Sequence, residues 1–218
     1  MRAYNLCDAH HALLNVSMRR MKISRVADLN DPFELLAYNL RDKQLRALVR
    51  SVRDTIHRSN GVLCFSKSWS NPVLWSHYAD KHRGICLGFD VADNILEPIT
   101  YVNELTKLAI DSTVTAASME KLLNSQFMCT KFIDWRYEEE VRAFVKLDHS
   151  TPESGLYFMD FSNQLKLREV ILGPRCDVPI SRVRDLVSAH EDVHVIKSRI
   201  AFTKFRVVED RTFRRSNA

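Results

Sequence analysis

Residues 137–147 constrain the fold of this chain more than any other stretch. Tyr137, Val141, Ala143, Val145 and Leu147 fall on one side of a period-two pattern, with Glu138, Glu140, Arg142 and Lys146 on the other. That alternation predicts a β-strand with one apolar face, and such a face needs a sheet with helices packed on it. Two carboxylates and a guanidinium then line the opposite side of one strand. Glu138 and Glu140, two residues apart, would have Cα atoms about 7 Å apart on that side. Carboxylates so placed can act on a substrate together, and the same pattern suits a cross-strand ion pair on a solvated face.

The remaining segments alternate in type. Leu45, Leu48, Val49, Val52 and Ile56 recur at helical spacing among Arg and Lys and end at Asn60-Gly61, predicting an amphipathic helix. Asn30-Asp31-Pro32 upstream combines Asx capping with a Pro suited to a first helical turn, and is expected to lead into that helix. Residues 62–65 read as a buried strand opening into Ser66-Lys67-Ser68-Trp69-Ser70, and Asn71-Pro72 starts a short helix ending before Gly84. Further strands are expected at 85–89, 99–102, 170–172, 193–196 and 205–208, with helices over 119–131 and after Pro179. The pattern predicts one α+β domain over residues 1–210, with a mixed or split β-sheet and flanking amphipathic helices, then a basic tail over 211–218. Neither a repeat nor a linker divides it.

Composition narrows the chemistry. A chain of 218 residues, 45% hydrophobic, buries a core without disulfide or metal support. Five cysteines, an odd number without a C-x-x-C pair, predict reduced and mostly buried thiols. No apolar run approaches the roughly 20 residues of a membrane span, and the polar N-terminus is unlike a signal peptide. A cytoplasmic protein with no membrane partner is therefore expected. Only five glycines are present, and neither a P-loop nor a G-x-G-x-x-G fingerprint occurs. His77 and His82 are five apart and outside any H-E-x-x-H pattern, and His10-His11 lacks a third ligand, so no metal is expected. The formal charge of +5 permits contact with nucleic acid without requiring it. Much of the excess sits at Arg19, Arg20 and Lys22 and at Arg211, Arg214 and Arg215, without the interleaved aromatics of single-strand binders.

Four segments together resemble the domain of unknown function 2971 family. They are Leu29-Asn30-Asp31-Pro32-Phe33-Glu34, Cys64-Phe65-Ser66, Leu74-Trp75-Ser76-His77-Tyr78-Ala79-Asp80 with His82-Arg83-Gly84-Ile85, and Trp135-Arg136-Tyr137-Glu138-Glu139-Glu140-Val141-Arg142. Val141 departs from the large aromatic of many relatives, on the apolar face where it threatens no chemistry. The family label brings no established activity.

A more distant resemblance, in pattern only, is to the ADP-ribosyltransferases, which hold NAD in a split sheet. They carry a polar residue on a first strand, a Ser or Tyr on a second strand followed by a short helix, and a glutamate on a later strand. The resemblance implies Arg2 or Tyr4 for the first, Ser66 for the second and Glu140, assisted by Glu138, for the catalytic third. NAD would be the substrate, and the biological setting a bacterial toxin or defence effector.

Several residues admit a plainer role. Ser66 suits a ribose contact or ordinary strand-end capping. His77 and Tyr78, adjacent on one helix, cannot both enter one pocket unless the helix lines its wall; each equally suits a buried, hydrogen-bonded position. Trp75 and Trp135 suit core or pocket wall. Asp31 caps locally or, with Glu34, reaches towards Arg142; Arg83 meets a phosphate or solvent. The alternative to an enzyme is a non-catalytic module that recognises a nucleotide or a partner. An enzyme needs Glu138 or Glu140 aimed into a concavity opposite Ser66, whereas a binding module can have both exposed or satisfied by arginines.

Overall fold

The structure, a computed structural model, describes residues 1–107, 128–147 and 152–213. β1 (Arg2–Cys7) leads into α1 (Ala9–Ser17), whose first turn is capped by the Asp8 carboxylate accepting from the His11 amide at 3.0 Å. β2 (Arg20–Arg25) follows, and after the turn around Asn30 comes α2 (Lys43–Ser59), burying Val49, Val52 and Ile56. Next are β3 (Asn60–Ser66), α3 (Pro72–Tyr78) and β4 (Ile85–Val91). Short strands β5 (Glu97–Pro98), β6 (Thr100–Val102) and β7 (Thr130–Phe132) precede β8 (Glu140–Lys146). β9 (Tyr157–Asp160), β10 (Leu165–Leu172), α4 (Ile180–Val187), β11 (His194–Ile200) and β12 (Val207–Glu209) complete the domain.

Among the described residues ten strands make one sheet, ordered β12-β11-β10-β4-β1-β3-β2-β9, with β8 on β3 and β5 on β8, while β6 and β7 pair separately. Within the large sheet β10 and β11 are parallel and the other pairings antiparallel. The α+β architecture read from the sequence is thus the one observed. α1 and α4 cover one face, setting Val16 and Val183 in one cluster with Phe89 and Val170. α2 packs on Val26, Leu35 and Phe144, and α3 sets Trp75 on Cys86, Ile171 and Val207.

One irregularity in the sheet positions the site. β1 meets β3 only at Tyr4 opposite Ser66 and then peels away, while β2 takes up the same edge of β3 at Val62 and Gly61. Between them the edge of β3 is bridged by the Asn5 side-chain amide, which donates to the Cys64 carbonyl at 3.1 Å. The sheet is split at this notch.

Three expectations are corrected. Residues 133–138 form a 3-10 helix rather than the start of the strand, and Glu139, at φ 45°, makes a left-handed break before β8 begins at Glu140. α2 starts at Lys43, with Asp42 accepting from the Leu45 amide at 2.8 Å; Leu35, at φ 61°, prevents a right-handed helix from running on from Pro32. Of the helix expected over 119–131, residues 119–127 lie outside the described residues and 130–132 are β7. Arg214 and Arg215 of the basic tail also lie outside them.

After α3 the chain turns through Asp80, Lys81 and His82, all at positive φ, to reach Gly84. A Cβ at Gly84 would lie 2.1 Å from the Cys7 carbonyl oxygen and 2.9 Å from the Ala79 backbone. Gly84→Ala is therefore expected to destabilise the fold by about 3 kcal/mol. Gly155→Ala, at φ +80° but in open space, is expected to cost only about 1 kcal/mol. Urea-unfolding midpoints of the two variants check the difference.

Candidate active site

β3 and β8 run in register with Ser66 opposite Glu140 and Cys64 opposite Arg142. With Tyr4 opposite Ser66, the residues Tyr4, Ser66 and Glu140 form one row across three neighbouring strands, their side chains on the same face. The row borders a cleft of about 380 Å³ in the notch, within the ~300–1,000 Å³ of small-molecule sites. Tyr78, Lys131 and Glu138 line it on the α3 side, and His11, Asn15 and Lys22 towards α1 and β2.

Behind the row lies a buried ionic cluster. Arg142, 1% exposed, donates from Nε to Glu140 at 2.8 Å and from Nη2 to Glu34 at 3.0 Å and Glu140 at 3.2 Å. Its Nη1 donates to Glu34 and, at 2.9 Å, to the Met128 carbonyl. Lys131 Nζ lies 2.7 Å from Glu138 and 2.7 Å from Glu140, joining the two. The Tyr78 hydroxyl donates to the other oxygen of Glu138 and accepts from the Asn30 side chain at 2.9 Å. The Glu140 amide donates to the Tyr101 hydroxyl at 2.9 Å, anchoring the start of β8.

Three carboxylates share two cations, so the cluster carries one net negative charge when all three are ionised. Burial by itself would raise the Glu140 carboxyl, but Arg142 and Lys131 outweigh it and hold it down at about 2. For Glu138 burial prevails over Lys131, and its carboxyl is raised. The two carboxylates are thus pushed apart, the arrangement that separates a proton-handling group from a permanently charged one. Burial and the neighbouring Glu138 raise the Tyr78 hydroxyl, which keeps its proton and donates it to that carboxylate. Burial also raises the Cys64 thiol well above its ordinary range, so this cleft residue is no thiolate nucleophile.

The other expected site residues divide clearly. Ser66 makes a local cap, donating to the Ser68 carbonyl at 2.8 Å and accepting from the Ser68 amide at 3.2 Å. Tyr4 is half-buried; burial and then Glu169 push its hydroxyl up to about 12. Arg2 is turned away from the cleft, 2.8 Å from Asp90 and 3.1 Å from Glu169. Asp31 accepts from the Phe33 amide at 2.9 Å, a local turn, while Glu34 is the residue that reaches Arg142. Trp75 is core, fully buried, with its indole donating to the Trp69 carbonyl at 2.6 Å. His77 stays outside the cleft, its Nδ1 2.8 Å from the Tyr137 hydroxyl, and only Tyr78 of this adjacent pair enters. Trp135 is half-buried with Lys131 Nζ 5.3 Å from its ring, and Arg83 is exposed.

Glu138 and Glu140 do not share one strand face as the alternation suggested. They meet because the left-handed Glu139 turns the chain between them towards Lys131. Lys131 and Tyr101 were missed in the sequence; the available signal was a lysine inside the short apolar run preceding Trp135. Among the described residues no group of three or more His, Cys, Asp or Glu can hold a metal ion, and no helix is long and apolar enough to cross a membrane.

Residues 74–143 match the model of a family described as Protein of unknown function (DUF2971). The segment similar to DUF2971 carries most of α3 and the residues Lys131, Glu138, Glu140 and Arg142, supporting that resemblance where the buried cluster lies. No curated protein and no solved structure matches the chain.

Arg142→Met is expected to cost about 3–5 kcal/mol, because it leaves Glu34 buried without its cation and Glu140 with Lys131 alone; chemical denaturation measures it. A second expectation concerns pH. The folded Glu140 carboxyl lies below its ordinary 4.5, so its contribution to stability is complete above that value and is lost as pH falls towards about 2. Glu140→Gln should remove an acid-side loss on the order of 2–3 kcal/mol, read from unfolding free energies between roughly pH 5 and 2.

Proposed function

We propose that the notch is a nucleotide site and that its chemistry is cleavage of the N-glycosidic bond of NAD, by hydrolysis or by transfer of ADP-ribose. The observation that carries this reading is the Tyr4–Ser66–Glu140 row at the split of the sheet, backed by a cluster with more carboxylates than cations. Breaking that bond sends its electron pair to the departing nicotinamide and leaves oxocarbenium-like positive charge on the ribose. An ionised Glu140, already held by two cations and needing no rearrangement, is suited to stabilise that charge. Water or an acceptor hydroxyl then bonds to the ribose carbon and releases a proton, which Glu138, with its raised affinity, is suited to take. At about 380 Å³ the cleft is near the small end for ligand sites, so a dinucleotide would extend beyond it, towards the exposed Lys22 at its border. A toxin or defence effector is the biological setting consistent with such a reaction.

A second reading has its own observation. Glu140 has both oxygens engaged by Arg142 and Lys131, as expected of a module that recognises a nucleotide without turnover. Calorimetric titration with NAD and parallel measurement of nicotinamide release separate the two. Release by the wild type, falling at least about a hundredfold in Glu140→Gln with binding retained, is the expected outcome. Binding without release gives the site to the second reading, and absence of both removes NAD from it.

A further inference from the structure

The β11–β12 hairpin exposes its apolar side chains at its tip. Ile200 and Val207 are the last paired residues, and the Ala201 amide donates to the Arg206 carbonyl at 2.9 Å, closing a four-residue loop from Phe202 to Phe205. Phe202 is 90% and Phe205 97% exposed, and Ile200 beside them is 57% exposed. The base is firmly held: Val207 is buried in the Trp75 cluster, its amide donates to the Ser70 carbonyl at 2.8 Å, and Ser198 Oγ donates to the Leu172 carbonyl at 2.6 Å. Two large rings on an anchored turn are a standing exposure, not the result of a frayed end.

The side chains flanking the rings are cationic, while Glu209, opposite Ser198, and Asp210 sit at the base of the hairpin. No acidic residue occurs over positions 193–208, while Arg199, Lys204 and Arg206 surround the tip and the Arg199 guanidinium stacks 4.5 Å from the centre of the Phe202 ring. A second copy of the hairpin would bring like charges together. Single-stranded nucleic acid is recognised by a groove that tracks its backbone, and this tip is a projecting turn. Apolar side chains beyond a cationic collar match a layered partner, anionic on its surface and apolar just beneath.

We infer that the β11–β12 tip docks on an anionic phospholipid bilayer, inserting Phe202 and Phe205 below the headgroups while Arg199, Lys204 and Arg206 contact their phosphates. The expectation of no membrane partner rested on the lack of a spanning segment, and attachment to a surface needs none.

The test is co-sedimentation of the full chain with vesicles of phosphatidylcholine alone or mixed with phosphatidylglycerol. Partitioning onto the mixed vesicles should exceed that onto phosphatidylcholine by at least about tenfold, and F202S/F205S and K204E/R206E should each lower it by a similar factor. Unchanged circular dichroism would show that these exposed substitutions leave the fold intact. No partitioning of the wild type onto mixed vesicles overturns the proposal, and so does partitioning indifferent to F202S/F205S, which indicates charge attraction alone. Phenylalanine-dependent binding of a mixed-sequence single-stranded oligonucleotide, without vesicle binding, overturns it in favour of a nucleic-acid surface.

Discussion

Arg142 is a fully charged side chain with almost no contact with water, and the architecture around the cleft follows from satisfying it. A buried guanidinium is tolerated only when its donors are met, and here they are met by Glu140 on its own strand, by Glu34 from a distant turn and by the Met128 carbonyl. These partners draw the turn around Glu34 and the segment entering β7 onto the same face of β8. Lys131 extends the cluster to the 3-10 helix through Glu138, and Tyr78 connects it to α3. Structural role and candidate chemistry therefore reside in the same side chains. A carboxylate held by two cations is a fixed charge, whereas one held by a single cation and a tyrosine hydroxyl is the member of the pair that can exchange a proton.

The parts of this arrangement legible in the sequence are those set by local patterns. The apolar run after Gly61, the Asn71-Pro72 start signal and the helical spacing from Leu45 to Ile56 each place an element correctly, because the physics lies within a few residues. The start of α2 after Asp42, instead of the expected one at Asn30-Asp31-Pro32, was not legible, since the Asx-Pro signal is local. The positive φ of Leu35, with its side chain buried beside Val26 and Tyr38, decides between them and comes from tertiary packing. The row of Tyr4, Ser66 and Glu140 was grouped only by a distant resemblance, with Arg2 as the alternative to Tyr4. Its members were recognisable singly, but their alignment depends on strand register between segments more than sixty residues apart.

The glutamate pair shows how a local pattern can select the right residues for the wrong reason. Alternation put Glu138 and Glu140 on one strand face, yet the chain achieves their convergence by leaving the strand conformation at Glu139. Two carboxylates brought together away from water repel each other unless a cation lies between them. Lys131 occupies that position, and its ammonium is held above its ordinary range because, despite burial, both glutamates favour the charged form. Its assignment to a helix in the sequence reading concealed the one group that makes the pair possible.

The same geometry limits what each residue in the cleft can do. Glu140, whose carboxyl Arg142 and Lys131 hold low, is poorly placed to accept a proton, which on the proposed reading leaves it an electrostatic role. Ser66 already uses its hydroxyl proton on the Ser68 carbonyl, so towards a ligand it offers an acceptor before a donor. Tyr4 keeps its proton through the neutral range and shares it with the Glu169 carboxylate, outside the cleft lining. On the proposed reading, a ligand portion carrying both a hydroxyl and developing positive charge, as a ribose does when its glycosidic bond breaks, matches the Ser66 acceptor and that fixed negative charge. A wholly anionic group does not, because the cleft's deeper wall is formed by the carboxylate-rich side of the cluster.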